Sequence, residues 1–198
     1  MIGYIKGTVL SCSNGMVLLE NGGIGYEINC SAEVYKKLCA DKKGEVYTYL
    51  AVREDGMYLY GFVSPEEKNM FLKLITVSGV GPKMGITVLS GMTLNDLAVK
   101  IATSDVKGLS KIKGLGKKTA ERIILELREK ITEEEQSSEL PVIDKEDVSL
   151  EKENQDAIIA LMSLGFTKQE CVKAVKQAKG AGAESIQQLI SYALKFMR

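Results

Sequence analysis

Two short segments of the chain share one pattern of glycine, apolar and basic residues. Residues 77–83 are VSGVGPK and residues 112–118 are IKGLGKK, so each has Gly, an apolar residue, Gly, one further residue and Lys. The two copies lie 35 positions apart, and apolar runs typical of helices flank both. A helix that begins after such a turn presents unpaired N–H groups and the positive end of its dipole. The pattern therefore predicts two anion sites, and phosphate is the anion such sites most often hold.

Ten residues in and beside these turns are the candidate phosphate-binding residues. Glycine allows positive φ and lets another backbone come close, while the basic side chains add charge. We expect Val80 and Leu115 to point inward and anchor the turns. The alternative is that the glycines only cap helices and the lysines are only solvated, which the repetition at a fixed offset disfavours. The candidates are Gly79, Val80, Gly81, Lys83, Gly114, Leu115, Gly116, Lys117, Lys118 and Arg122.

Other glycine motifs and several kinds of catalytic site are excluded. A P-loop requires Ser or Thr directly after Gly-Lys, but Lys118 follows Gly116 and Lys117. A dinucleotide-binding fingerprint requires a third Gly where Met84 and Thr119 stand. The chain has no His, which excludes Ser-His-Asp triads, Cys-His pairs and His-containing metal sites. Carboxylates or lysines could still catalyse, but we expect no catalytic residue, no metal and no cofactor.

Charge is unevenly distributed, although the 26 basic and 26 acidic residues cancel. Residues 64–131 hold twelve basic and seven acidic residues, a net charge of +5, and this region is where a polyanion is expected to bind. Residues 132–156 hold two basic and ten acidic residues, a net charge of −8, without apolar periodicity. That composition predicts a solvated linker that tethers a C-terminal domain.

The first 63 residues carry the pattern of a small β-barrel. Five short apolar or β-branched runs predict strands, and helical spacing after Ser31 predicts one inserted helix. An OB-fold is the leading candidate for five strands and one helix. The last two runs flank Arg53-Glu54-Asp55-Gly56, which predicts a tight hairpin. Glu54 and Asp55 at its tip are either simply solvated or form a negative projection that repels phosphates, and the pattern leaves both open.

The rest of the chain is predicted to be helical. Ser64 is an N-cap candidate, a further helix is predicted over residues 94–102 after Thr93, and residues 117–131 have the periodicity of a long amphipathic helix. Three C-terminal helices are predicted over residues 155–164, 167–178 and 184–196.

The cysteines and the N-terminus indicate a cytoplasmic protein. Cys12, Cys30, Cys39 and Cys171 show no C-x-x-C spacing, so we expect all four to be reduced, small and buried. The first residues lack the pattern of a secretory signal. No apolar run approaches the ~20 residues that a membrane-spanning helix needs.

Two further parts of the chain resemble known modules. The twin turns resemble the helix–hairpin–helix motif, a sequence-independent binder of the DNA backbone. Residues 161–166, LMSLGF, resemble the loop of ubiquitin-associated (UBA-like) three-helix domains, in which an apolar patch binds a partner. The order of these parts resembles the RuvA family of Holliday-junction recognition subunits. The most specific pieces are residues 1–3, 52–56, 59–62, 79–83 and 114–122.

The resemblance implies an α+β multidomain fold in four parts. An N-terminal OB-fold barrel with an acidic pin hairpin covers residues 1–63, and a central all-α tandem helix–hairpin–helix domain covers residues 64–131. A flexible acidic linker covers residues 132–154, and a UBA-like three-helix bundle covers residues 155–198.

The resemblance also implies a function without catalysis in this chain. Proteins of this family form tetramers, and two tetramers often clamp one open four-way junction during recombination and SOS-linked DNA repair. For this chain it implies that the twin turns hold junction phosphates and that Glu54 and Asp55 form a central pin that helps to separate strands. The family's partners are RuvB, the hexameric ATPase that drives branch migration, and RuvC, the junction resolvase. Leu161, Leu164 and Phe166 are the expected RuvB contacts, unless they are simply core residues.

Two other functions stay open at this point. One is an enzyme anchored by its helix–hairpin–helix motifs, such as a glycosylase or a structure-selective nuclease. Such enzymes need a catalytic Asp or a carboxylate cluster, whereas the acids near these turns are isolated in sequence. The other is a C-terminal domain that reads ubiquitin.

Overall fold

The computed structural model describes residues 1–137 and 152–197, and the chain folds into two compact units. The first unit comprises Met1–Met92 together with Ile112–Gly114, and the second comprises Thr93–Lys111 and the described part of Leu115–Arg198. Within the described ranges, no helix is long and apolar enough to cross a membrane.

The first unit contains a closed five-stranded barrel. Its strands are β1 (Tyr4–Ser13), β2 (Met16–Asn21), β3 (Ile24–Cys30), β4 (Lys43–Arg53) and β5 (Gly56–Phe62). Their order around the barrel is β1-β2-β3-β5-β4, and β3–β5 is the one parallel pair among these five strands. Helix α1 (Ala32–Asp41) follows Ser31 and connects β3 to β4. This barrel with one inserted helix confirms the predicted OB-fold.

Alternate strand residues form the core of the barrel. Successive side chains of a strand point to opposite faces, so alternate positions along each strand face the inside of the barrel, and the apolar residues at those positions form the core. The fully or almost fully buried members of this cluster include Val17, Leu19, Ile28 and Val46, with Val34 and Leu38 of α1. The barrel is thus a packed scaffold from which its hairpins extend.

The cysteines differ from the expectation. Cys12 in β1 and Cys39 in α1 form a disulfide, whereas Cys30 and Cys171 are free and buried. The prediction of four reduced cysteines is wrong for the first pair, because α1 packs against β1 and brings their Cα atoms to 6.1 Å. Burial raises the pKa of the Cys30 thiol to about 12, so this thiol stays protonated at neutral pH.

Helix α2 (Pro65–Ile75) begins directly where the barrel ends. The Ser64 side chain accepts a hydrogen bond from the N–H of Glu67, which confirms the predicted N-cap. The Glu67 carboxylate is buried and accepts a 2.6 Å hydrogen bond from the N–H of Val63, just after β5. Burial raises the pKa of Glu67, although this hydrogen bond opposes the shift.

Phe71 attaches α2 to the β4–β5 hairpin. Its ring centroid lies 5.4 Å from that of Tyr49, 5.7 Å from that of Tyr60 and 4.7 Å from that of Phe62. The three rings share one face of the hairpin because they occupy alternate or directly paired strand positions. Helix α3 (Pro82–Gly91) packs against α2 in turn. The turn that joins α2 to α3 is therefore held between packed helices.

The second unit is helical. Its helices are α4 (Leu94–Ala102), α5 (Val106–Leu109), α6 (Lys117–Ser137), α7 (Lys152–Ser163), α8 (Lys168–Gly180) and α9 (Ile186–Phe196). Helix α4 follows Thr93 as predicted, with Thr93 as its N-cap, and Thr167 forms a capping box with Glu170 at the start of α8. Helix α6 continues six residues beyond the predicted end at residue 131, because the acidic run that follows is rich in Glu, a good helix former.

The C-terminal helices do not stand alone in this unit. Helices α7 and α9 pack against α4 as well as against each other, and α8 packs on both. The predicted linker over residues 132–154 is helical at its two described ends, 132–137 and 152–154. Residues 138–151 lie outside the described residues. The division into four independent parts stays a prediction.

Candidate nucleic-acid interface

The first turn, between α2 and α3, has the geometry that the sequence predicts. Gly79 has a φ of 86°, a left-handed conformation that residues with side chains rarely adopt. Val80 is 3% exposed, whereas Gly79 and Gly81 on either side of it are exposed. Gly81 is the N-cap of α3, and its carbonyl accepts a 2.9 Å hydrogen bond from the N–H of Gly85.

The second turn, before α6, repeats this geometry. Gly114 has a φ of 88°, and Leu115 is 4% exposed between two exposed glycines. The Gly116 carbonyl accepts a 3.0 Å hydrogen bond from the N–H of Ala120. The match confirms that Val80 and Leu115 are the inward anchors of two equivalent turns.

Each turn is followed at once by the N-terminus of a helix. In α3, Pro82 has no N–H, and the N–H groups of Lys83 and Met84 precede the first helical hydrogen bond. In α6, the N–H groups of residues 117–119 occupy the corresponding positions. The helix dipole adds positive potential at the same points. Each turn can therefore bind a phosphate group through backbone donors.

The second glycine of each turn lies beside open space. A Cβ built on Gly116 would meet no atom within 4 Å, and one built on Gly81 would meet only an Arg53 side-chain nitrogen at 4.0 Å. Neither of these two glycines adopts positive φ, so the backbone conformation does not require Gly there. Glycine at these positions suits the close approach of a second backbone from outside.

The predicted basic side chains are exposed beside the turns, and they differ in how far they are compensated. The Nζ of Lys117 lies 3.7 Å from Oε1 of Glu121, and the Nε of Arg122 lies 3.9 Å from Oε1 of Glu126. The partners in each pair are one helical turn apart. In the described part of the chain, Lys83 and Lys118 have no carboxylate within ion-pair distance. These two lysines thus carry the least compensated charge of the four.

Arg53, at the end of β4, is a further basic residue that the sequence pattern did not single out. Its guanidinium Nη2 lies 4.0 Å from the position that a Cβ on Gly81 would occupy. The barrel therefore adds a cation beside the first turn, although the two residues are far apart in sequence. The sequence sign was weak, because Arg next to Glu54 and Asp55 looks like ordinary turn composition.

The β4–β5 hairpin extends two acidic side chains into solvent. Arg53 pairs with Gly56, so Glu54 and Asp55 form the loop of the predicted hairpin, and both are exposed. The Tyr58 hydroxyl donates a 3.0 Å hydrogen bond to the Asp55 carboxylate, which raises the pKa of Tyr58. This hydrogen bond orients Asp55 at the tip. Whether the tip separates strands stays a prediction.

The other acids near the turns have structural partners. In the described ranges, no three Cys, Asp or Glu side chains come close enough together to hold a metal ion. Asp105 accepts hydrogen bonds from Lys100 at 2.9 Å and from the N–H of Gly108 at 2.8 Å, and both lower the pKa of Asp105. These contacts close the short helix α5 onto the end of α4.

Two of the three expected partner contacts are buried. Leu161 in α7 and Leu164 directly after it lie in the core of the second unit. Their burial agrees with the alternative that they are core residues and does not support direct contact with a partner. Phe166 is partly exposed. Of the three, only Phe166 has surface to offer, and its contact stays a prediction.

Three family models match successive parts of the chain. The RuvA N terminal domain matches residues 1–61, the SAM-like helix-hairpin-helix tandem matches residues 71–129, and the RuvA C-terminal domain matches residues 152–198. The first match covers the barrel with its acidic hairpin, and the second contains both turns. The third covers α7, α8 and α9.

Proteins named Holliday junction branch migration complex subunit RuvA are similar along the entire chain. The one from Alkaliphilus oremlandii is 41% identical over 100% of this chain and 99% of its own length. Those from Solibacter usitatus and Vibrio cholerae are 40% and 35% identical, each over 100% of both chains. With this similarity over the full length, and with the family models in the same order, the chain belongs to the RuvA family.

Proposed function

We propose that the protein is a non-catalytic subunit that binds Holliday (four-way) junction DNA without reading its sequence. The observation that carries this proposal is one geometry built twice, with a positive-φ glycine, a buried apolar residue, an open glycine and a helix N-terminus with Lys. The names of the relatives, which describe them as subunits of a Holliday junction branch migration complex, support the same proposal.

Each turn binds one stretch of sugar-phosphate backbone. The N–H groups at the start of α3 and α6 donate to phosphate oxygens, and Lys83 and Lys118 add charge-assisted contacts. The open second glycines let the strand come close to the turn. Phosphates are alike at every base pair, so these contacts carry no sequence information. Affinity falls steeply with salt, because each neutralised phosphate releases counterions.

The acidic loop of the β4–β5 hairpin favours one DNA geometry over others. Glu54 and Asp55 are exposed and repel phosphates, so a strand does not lie across the loop. In a homotetramer four such loops meet near one axis, where they disfavour the close strand packing of a stacked junction. A second tetramer on the opposite face of the junction gives an octamer.

The C-terminal helices recruit the motor of the complex. That motor is the RuvB ATPase, so ATP hydrolysis belongs to the partner and this chain needs no catalytic residue. The RuvC resolvase acts on the junction in the same complex. We expect the protein to work in the cytoplasm, where recombining DNA is found.

Binding and mass measurements test the proposal together. Fluorescence anisotropy compares a labelled synthetic junction with a duplex of the same length at several salt concentrations, and native mass spectrometry counts chains per junction. We expect tighter binding to the junction, four or eight chains per junction, and a slope of log affinity against log salt of about −0.9 for each phosphate contact. Equal affinity for junction and duplex contradicts the proposal. So does cleavage or base release by the pure protein in Mg²⁺, because it indicates an enzyme.

Substitution of Phe166 tests which protein the C-terminal helices bind. We expect Phe166→Ala to weaken capture of RuvB while leaving junction affinity unchanged, because the residue is partly exposed and lies outside both turns. Lys173→Ala on the exposed face of α8 is the control. Capture of ubiquitin rather than RuvB by the wild-type protein contradicts the assignment of the partner.

A further inference from the structure

The β4–β5 hairpin exposes two apolar side chains just behind its acidic loop. Val52 and Met57 face each other across the two strands and are 70% and 74% exposed. The next inward pair on the same face, Leu50 and Leu59, packs against the barrel core. The apolar inner face of the barrel therefore continues beyond the core as one exposed cross-strand pair.

Charge restricts what can cover this pair. Glu54 and Asp55 directly adjoin it and repel a phosphate or an acidic surface. A nucleobase is uncharged, and its flat apolar face suits contact with Val and Met side chains. Apolar side chains of this kind wedge between or against bases in other proteins that deform DNA.

The pair is also continuous with the candidate interface. Arg53, between Val52 and the acidic loop, has its guanidinium 4.0 Å from the Cβ position of Gly81 in the first turn. A strand whose phosphates lie at that turn is therefore within reach of the hairpin. The acidic loop repels the phosphate backbone of that strand but does not repel its uncharged bases.

We propose that Val52 and Met57 form a contact surface for unpaired nucleobases at the crossover of the junction, an inference that rests on the proposed function. The acids keep the backbones apart, and the apolar pair covers the bases that leave the stack. Each such contact offsets part of the cost of unstacking a base. The proposed occupant is the base of a DNA strand, and contact with a second copy of this chain is the outcome from which the test separates it.

A junction with 2-aminopurine at the crossover tests the inference, because the fluorescence of this base rises when it leaves the stack. The test variant is the double substitution Val52→Thr with Met57→Gln, which keeps side-chain size and both acids. With wild-type protein we expect an increase in fluorescence on binding. With the double variant we expect at least a twofold smaller increase, while junction affinity changes by less than about threefold because the phosphate contacts remain.

Ile24→Thr is the matched control, since Ile24 is an exposed apolar residue at another hairpin of the same barrel. It should give the wild-type fluorescence increase. An unchanged increase with the double variant overturns the inference, and so does a double variant that no longer assembles, since the pair then contacts another subunit. If wild-type protein fails to bind the junction at all, the proposed function fails and the inference with it. Normal binding with no difference between variants overturns the inference alone.

Discussion

The two helical turns and the β4–β5 hairpin use charge and apolar side chains in opposite ways. In the turns, the apolar residue is buried and the exposed groups are glycine backbone, helix N–H groups and lysines. In the hairpin, the loop is acidic and the apolar pair beside it is exposed. One chain therefore presents surfaces that attract a phosphate backbone and a surface that repels it.

The difference shows how shape can be recognised without base-specific contacts. Attraction alone binds any duplex, because every duplex offers phosphates. Repulsion alone binds nothing. Under the proposed function, attraction at the turns together with repulsion at the acidic loop favours a DNA whose backbones diverge at that loop. Substitutions in the turns and in the acidic loop separate these two contributions.

Reversing the charge beside both turns should remove most of the attraction. For Lys83→Glu combined with Lys118→Glu, we expect affinity for junction and duplex alike to fall at least about 100-fold, since every bound chain loses two charge-assisted contacts of about 1.5 kcal/mol each. The slope of log affinity against log salt should also flatten by about 1.8 for each bound chain, two contacts at about 0.9 each. Anisotropy titrations over a salt series measure both quantities.

A control for this variant must change the total charge equally. Lys6→Glu with Lys43→Glu does so at exposed barrel positions, and Lys43 lies at the end of β4 opposite to the acidic loop. This control should lose much less affinity. If both double variants bind equally well, the turns are not the DNA-binding elements.

Substitution of the two glycines of the second turn should affect two different properties, stability and DNA affinity. At Gly114, φ is positive, so Gly114→Ala should cost about 1–2 kcal/mol of unfolding free energy. At Gly116 a Cβ meets only open space, so Gly116→Ala should leave stability within about 0.5 kcal/mol and yet lower DNA affinity about 10-fold. Urea denaturation and anisotropy separate these results. Normal DNA binding by Gly116→Ala contradicts a close approach of the strand.

Neutralising the acidic loop should act on discrimination rather than on affinity. For Glu54→Gln with Asp55→Asn, we expect junction affinity to stay the same or rise, because a repulsive charge is removed. The ratio of junction to duplex affinity, or the rate of migration with RuvB, should change by several-fold. Tyr58→Phe, which loses the hydrogen bond to Asp55, should show the same change more weakly. If neither quantity changes in the double variant, the loop has no pin function.

The features that could be predicted from the sequence are those set by neighbouring residues. The barrel strands, the cap at Ser64, the helix after Thr93, and the buried anchors Val80 and Leu115 follow from periodicity and turn chemistry within a few residues. The repeated turn was recognisable because both copies keep the same spacing.

The features that sequence reasoning missed depend on residues far apart in the chain. The Cys12–Cys39 disulfide requires the packing of α1 on β1, and the packing of α7 and α9 on α4 joins segments on both sides of the acidic run. Likewise, no local pattern distinguishes a buried Leu161 from a surface contact, because both give the same apolar spacing.

The smallest effect concerns Glu67, which ties the start of α2 to the end of the β4–β5 hairpin. Its buried carboxylate accepts the Val63 N–H, and burial raises its pKa. A carboxyl group with a raised pKa in the folded state contributes stability that is present below its unfolded value and is lost as pH rises through the folded value. Wild-type stability, relative to Glu67→Gln, should therefore fall as pH rises from acid towards neutral.

The Gln variant keeps an oxygen that can accept the Val63 N–H and removes the charge that is costly to bury. At neutral pH we expect it to be as stable as the wild type or more so, by no more than about 1.5 kcal/mol. Glu67→Ala leaves the Val63 N–H without its acceptor and should be destabilised.

Glu66→Gln, one residue away, is the control for loss of charge alone. Urea denaturation at several pH values measures the free energy of unfolding of the wild type and of each variant. Equal pH dependence for wild type and Glu67→Gln contradicts the claim that a buried charge at Glu67 lowers stability. Because this contact depends on hydrogen bonding rather than on charge, DNA binding by the Gln variant should be unchanged.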